Sequence, residues 1–209
     1  MDIIESLHWR YATKKFDSDK IVSQKKIEIL TEAFNLTATS YGLQPLKLVV
    51  IKDKELQKEL TEHSWNQQQV ADASHVLVFC IEKVIDKKYI SQYFNNVIAT
   101  RNTPEEIINP FKKQLIESFD SKSIEEISNW ATKQAYLALG NLLTVCAIEE
   151  IDACPMEGFI PKKYDEILNL NNLGLTSVLV LPIGYRAKDD MFSEFKKVRR
   201  SIDETIIKI

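Results

Sequence analysis

One stretch constrains this chain more than any other: Asn129 to Phe159, reading NWATKQAYLALGNLLTVCAIEEIDACPMEGF. After Lys133 no charge occurs before Ile148, and Ala131, Ala135, Leu137, Ala138, Leu139, Leu142, Leu143, Val145 and Ala147 fall on every side of a helical wheel. A helix that is apolar all round has to be covered all round. Counted back to Ile124 it runs about 26 residues, or ~39 Å at 1.5 Å per residue. That exceeds the interior of one small domain and suits a helix shared with a second subunit. Asp152 to Pro155 then breaks the helix, and Met156-Glu157-Gly158-Phe159 makes a tight turn. On pattern alone, a plain core helix followed by a Pro/Gly turn explains the stretch equally well.

The remaining chain frames this helix. Short helices are expected at about Asp2–His8, Gln24–Asn35 (capped by Ser23, with Ile27, Leu30 and Phe34 on one face), Lys54–His63 and Pro161–Leu168. Polar-faced helices are expected at Lys87–Thr100 and Pro104–Phe119. Leu46–Ile51 reads as a strand, and Val76–Ile81 and Thr176–Ile183 as continuously apolar, doubly buried strands. Thr205–Ile209 reads as a terminal strand. Strands interspersed with helices mean α/β or α+β. With 209 residues, 44% of them hydrophobic, and no linker or repeat, one domain over 1–209 is expected.

Composition excludes several functions. A net charge of −3 leaves no basic excess for nucleic acid. No signal-peptide core or transmembrane run occurs, and Cys80, Cys146 and Cys154 lie apart in apolar settings, so a reducing cytoplasm is expected. Five glycines, none in a Gly-rich loop, exclude the usual dinucleotide and P-loop fingerprints. His8, His63 and His75 are widely separated, and no catalytic triad, paired carboxylate or metal-ligand spacing emerges. Arg10 to Phe16, with Arg10, Lys14 and Lys15, would by itself be a solvated basic loop.

Cys154-Pro155-Met156-Glu157-Gly158-Phe159, after a helix beginning Trp130-x-x-Lys133-Gln134-x-Tyr136-x-x-x-Gly140-Asn141, resembles the FMN-dependent nitroreductase and flavin reductase family. Four more segments match in order: Arg10–Phe16, Thr39-Ser40 before Gln44-Pro45, Asn66 and Gln69 before Asp72–His75, and Lys197 with Arg199. The strongest likeness is to oxygen-insensitive bacterial enzymes that reduce nitroaromatics and quinones with NADH or NADPH.

The resemblance implies an α+β sandwich, with a central mixed sheet flanked by helices, in an intertwined homodimer with FMN at its interface. It implies a variable lid at about 87–119 and a C-terminal arm at about 200–209 that crosses to the partner. Arg10, Lys197 and Arg199 match the phosphate clamp; relatives commonly add a serine where this chain has Ala12. Lys14, Asn66 and Gln69 match residues at the pyrimidine edge of the flavin, and some relatives have lysine in place of Gln69. Thr39, Ser40 and Gln134 match contacts offered by the partner subunit. Pro155, Met156, Glu157 and Gly158 match the turn facing flavin N5. Gln134 reads equally well as an ordinary interhelical hydrogen-bonder. No side chain is expected to be catalytic, since the cofactor carries the hydride and the protein positions and polarises it. A flavin or dihydropteridine reductase, an oxidative or dehalogenating relative, or a non-catalytic FMN binder would keep the same residues.

Overall fold

The structure is a computed structural model that describes residues 2–209. Its centre is a sheet of β1 (Leu46–Ile51), β2 (His75–Glu82), β3 (Asp152–Ala153) and β4 (Leu175–Gly184), in the order β1-β2-β4-β3. Every pairing between these strands is antiparallel. The expected mixed sheet is therefore corrected; among the described residues, parallel pairing is confined to an isolated bridge between Ala12 and Ala153. The reason lies in the connections. Helices α3 (Lys54–Glu62) and α4 (Gln69–Asp72) carry the chain out from Ile51 and back to the same end of the sheet. Val76 then pairs with Ile51, so β2 must run the opposite way.

The apolar residues of β2 and β4 alternate between two faces, as a two-residue period requires. Leu77, Phe79, Ile81, Leu179, Leu181 and Ile183 pack on one side with the long helix α7 (Ile124–Ile148), α2 (Gln24–Asn35), α5 (Lys87–Arg101) and α6 (Glu105–Asp120). Val76, Val78, Cys80 and Val180 pack on the other with Leu60 of α3 and Tyr164 of α8 (Pro161–Ile167). The doubly buried strands expected from sequence are thus sandwiched between helical layers. The expected polar-faced helices bury Ile90 and Phe94 of α5 and Ile108, Leu115 and Phe119 of α6 in the first core.

Helix α7 is 25 residues long, begun by a reciprocal capping box between Ser123 and Glu126. It buries Ala131, Gln134, Ala135, Ala138, Leu139, Leu142, Cys146 and Ala147 within its own chain. The opposite face keeps Tyr136 45% and Leu137 55% exposed, with Gly140 bare beside them. Expected cover on all sides is met on one side by this chain alone.

The C-terminus departs from expectation. A Ser201–Glu204 capping box starts one helical turn, α9 (Ile202–Thr205), and residues 206–209 form no strand. The sheet has β1 and β3 at its edges, and within this chain the tail pairs with neither. Ile206, Ile207 and Ile209 consequently stand exposed.

Candidate functional site

Helix α1 (Ile3–Trp9) ends where Arg10 turns into extended backbone. The loop that follows is fastened to the end of the sheet. Thr13 N–H donates to the Ala153 carbonyl at 3.3 Å, Asp17 N–H to Tyr185 at 2.8 Å, and Ala187 N–H to Lys15 at 2.9 Å. This brings Arg10, Ala12 and Lys14 opposite the C-terminal segment around a cavity of about 390 Å³. Arg10, Lys14, Lys196, Lys197 and Arg199 line it, and among the described residues no carboxylate does. The Lys197 ammonium donates to the Arg10 carbonyl. Burial, then the neighbouring Arg199, lowers the pKa of Arg10. Burial, then Arg10 and Arg199, lowers that of Lys197. Like charges held together without a counter-charge form a site for an anion, and guanidinium forks suit phosphate oxygens.

Three residues that lie behind the lining of this cavity carry no recognisable signal in the sequence. Asp190, 3% exposed, accepts from the Tyr11 hydroxyl and from the backbone of Lys14, Lys15 and Phe192. Asp152 is paired with Arg186 at 2.6 Å, and the Arg186 guanidinium lies 4.3 Å from the Trp9 ring and 4.6 Å from the Tyr11 ring. In sequence Asp190 is one of two adjacent aspartates in a polar stretch, and Asp152 looked like part of a helix stop. Neither position has a periodicity or a spacing to mark it.

Beside the cavity lies the turn after β3. Cys154 N–H donates to Pro182 at 3.0 Å and Met156 N–H to Val180 at 2.8 Å, so this segment extends the edge of β4 as far as Met156. The N–H groups of Glu157 and Gly158 find no acceptor among the described residues. Gly158 is crowded instead, because a Cβ there would sit 2.7 Å from the Trp65 ring. Its carbonyl accepts from the Gln67 side chain at 3.1 Å. Burial pushes the Cys154 thiol up, while Lys14, a bond from Gln69 and Arg10 pull it back. Lys14, Gln69 and Arg10 are thus near enough to the Cys154 thiol to act on it. Asn66 is exposed in the left-handed region at φ 54, next to Trp65, which also has φ 54 and is 71% exposed. The structure therefore gathers Arg10, Ala12, Lys14, Gln69, Pro155, Met156, Glu157, Gly158, Lys197 and Arg199 at one end of the sheet, with Asn66 close to the turn.

Thr39, Ser40 and Gln134 form a separate group. Ser40 N–H donates to Gln134 Oε1 at 2.8 Å, and Gln134 Nε2 donates to the Trp130 carbonyl at 3.1 Å. The ordinary structural role of Gln134 is thus filled within the chain. Gln44 supports the turn as expected, its N–H donating to Thr39 Oγ1 at 3.1 Å and its side chain to the Asn35 carbonyl at 2.8 Å. Two residues beyond Gln134, Tyr136 donates to Glu157 at 2.5 Å. Positions 134 and 136 lie ~200° apart on a helix of 3.6 residues per turn. Helix α7 therefore separates the Thr39–Ser40 group from the cationic cavity and its turn.

Residues 7–185 match the nitroreductase family. This chain belongs to that family. A Staphylococcus aureus protein provisionally named an NAD(P)H nitroreductase is 33% identical over 98% of this chain and 95% of its own length. The crystal structure of a nitroreductase family protein from Streptococcus pneumoniae superposes with a TM-score of 0.84 at 25% identity, all of both chains being covered. A nitroreductase-like protein from Exiguobacterium sibiricum, solved in complex with FMN, has the same fold, with a TM-score of 0.83 at 18% identity over 100% of this chain and 98% of that one. Like its relatives, this nitroreductase-family chain is α+β. Among the described residues no helix is long and apolar enough to cross a membrane, and no cluster of metal-ligating side chains occurs.

Proposed function

We propose that this nitroreductase-family chain is an NAD(P)H-dependent FMN oxidoreductase that reduces nitroaromatics, quinones or similar flat acceptors. The observation that carries the reading is the cavity lined by Arg10, Lys14, Lys196, Lys197 and Arg199 without a carboxylate. Cations lowered in pKa by burial and by one another are relieved by a phosphate dianion. The S. aureus relative's name supports a nicotinamide donor, and the E. sibiricum structure supports FMN as the occupant of this fold.

When bound, FMN would supply a ring that takes hydride from NADH or NADPH and returns two electrons to the acceptor. The chain's own residues would do the rest. Arg10, Lys197 and Arg199 hold the phosphate, with Ala12 contributing backbone only. Lys14, Asn66 and Gln69 face the pyrimidine edge; the amide of Asn66 offers both a donor and an acceptor there. The N–H groups of Glu157 and Gly158, without another acceptor among the described residues, would be offered to the reacting side of the ring, with Pro155 and Met156 setting the turn. Thr39, Ser40 and Gln134 complete the site of a second copy. The two-sidedness of α7 supports that division, because one chain cannot bring both groups to one flavin. Helices α5 and α6 act as the lid, residues 200–209 as the crossing arm, and 1–209 as one domain.

Heat release of the flavin followed by chromatography distinguishes FMN from FAD, and FAD overturns the reading of the cavity. Anaerobic addition of NADH or NADPH should bleach the yellow protein, and a quinone or nitroaromatic should restore the colour. Steady-state double-reciprocal lines should be parallel, as expected when donor and acceptor use one pocket in turn. Protein that binds FMN but is bleached by neither nucleotide is a flavin carrier and not a reductase.

A further inference from the structure

We infer that Asp190 is the positioning residue that sets the spacing of the phosphate-binding cations, by tying together the two chain segments that carry them. The inference rests on the proposed reading of the cavity as a phosphate site. One wall of the cavity comes from residues 8–14 and the other from residues 192–199, far apart in sequence. Their cations repel one another, so something has to hold the walls at a fixed distance. Asp190 Oδ2 accepts from the Tyr11 hydroxyl at 2.8 Å, from Lys14 N–H at 2.9 Å and from Lys15 N–H at 3.1 Å. Asp190 Oδ1 accepts from Phe192 N–H at 3.1 Å. One buried carboxylate thereby joins the backbone of the first wall to the start of the second.

The same bonds explain why this negative charge does not compete with a phosphate. Asp190 is not among the residues lining the cavity, and its four donors occupy both oxygens. Burial pushes its carboxyl up, but the bonds from Tyr11, Lys14, Lys15 and Phe192 outweigh this and hold it below the usual carboxylate range. An asparagine cannot substitute, because it offers a single acceptor oxygen. Whichever way the amide turned, its NH₂ would face N–H or O–H donors and release one of the two walls.

The test compares the affinities of the apoprotein for FMN and for riboflavin, which has the same ring and no phosphate. Wild type should prefer FMN strongly. Asp190→Asn should lower the FMN-to-riboflavin affinity ratio about tenfold while riboflavin affinity itself changes little. A variant with a lowered melting temperature but an unchanged ratio shows a structural role only and overturns the assignment. If Asp190→Asn yields no folded protein, Tyr11→Phe takes its place, since it removes one donor and leaves the carboxylate. Its ratio should fall about threefold, and an unchanged ratio again overturns the assignment. Wild type that binds FMN and riboflavin equally refutes the phosphate reading, and the Asp190 assignment with it; a preference in wild type that survives in the variants refutes Asp190 alone.

Discussion

The Lys197 ammonium donates to the main-chain carbonyl of Arg10, the residue whose guanidinium repels it. The contact is a compromise: a backbone dipole holds a cation that a neighbouring cation pushes away. It sets up a dependence on pH whose sign differs with and without the flavin. In the apoprotein, burial and then the neighbouring Arg10 and Arg199 hold the Lys197 pKa below its ordinary 10.5, so folding disfavours its charged form. Raising the pH through that depressed value toward 10.5 relieves the penalty and should slightly stabilise the apoprotein. A bound phosphate favours the charged form and reverses the sign. FMN affinity should therefore fall across the same alkaline window, and riboflavin affinity should not. Fluorescence titrations of both ligands between neutral and alkaline pH check this; parallel losses would remove Lys197 from the clamp.

Lys14 should control the flavin's redox potential. A cation beside the pyrimidine edge favours the reduced, more negatively charged flavin. One such pair at ~4 Å and an effective dielectric of about 20 amounts to ~4 kcal/mol before screening. Lys14 is exposed, so about half of that, a tenfold to hundredfold change in equilibrium, is the expectation. Lys14→Met should keep the fold, lower the two-electron midpoint by roughly 30 to 60 mV, and slow reduction by NAD(P)H. Gln69 adds no second cation at this edge. Spectroelectrochemistry gives the answer, and an unchanged midpoint in a loaded variant places Lys14 away from the ring.

The exposed face of α7 should be the seam of a dimer. Leu137, Tyr136 and Gly140 lie on it, and an obligate interface built around them should bury more than ~2,000 Å². Leu137→Glu places a charge in that seam. Sedimentation should show monomers at micromolar concentration, and these should lose flavin. A wild-type monomer that keeps its flavin would refute the shared site.

Asp152→Asn should be costly without touching the cavity's cations. The carboxylate is 4% exposed and bonds both the Arg186 backbone and its guanidinium. Breaking a buried pair leaves an uncompensated charge. Arg186 is partly exposed, so the loss should sit near the lower end of the usual range, at about 3 kcal/mol. Denaturant unfolding of the apoprotein measures it.

Much of this architecture could be read from residue order alone, for local reasons. Ser23 caps α2 from Gln24 to Asn35 as its hydroxyl and the spacing of Ile27 and Leu30 require. Leu46–Ile51 and α7 stand where their apolar patterns put them. The direction of the strands was not legible, because periodicity says which face is buried and nothing about which way the neighbour runs. Thr205–Ile209 shows a related limit: strand composition does not say which edge a segment joins, and within its own chain this one joins none. At the site, family motifs led to Arg10, Lys14 and the Glu157–Gly158 turn. Asp190 and the Trp9–Arg186–Tyr11 stack stayed hidden because their partners are separated by well over a hundred residues.

The two-sidedness of α7 has a genetic consequence. With Ser40 and Gln134 on one side and Tyr136 with Glu157 on the other, each chain would lend half of itself to each of two pockets. Two different loss-of-function alleles, one damaged at Lys197 and the other at Ser40, would then not be equivalent to a single lesion. Coexpressed, they would assemble mixed pairs in which one pocket collects both defects and the other collects neither. Such pairs would restore activity that neither allele supports alone.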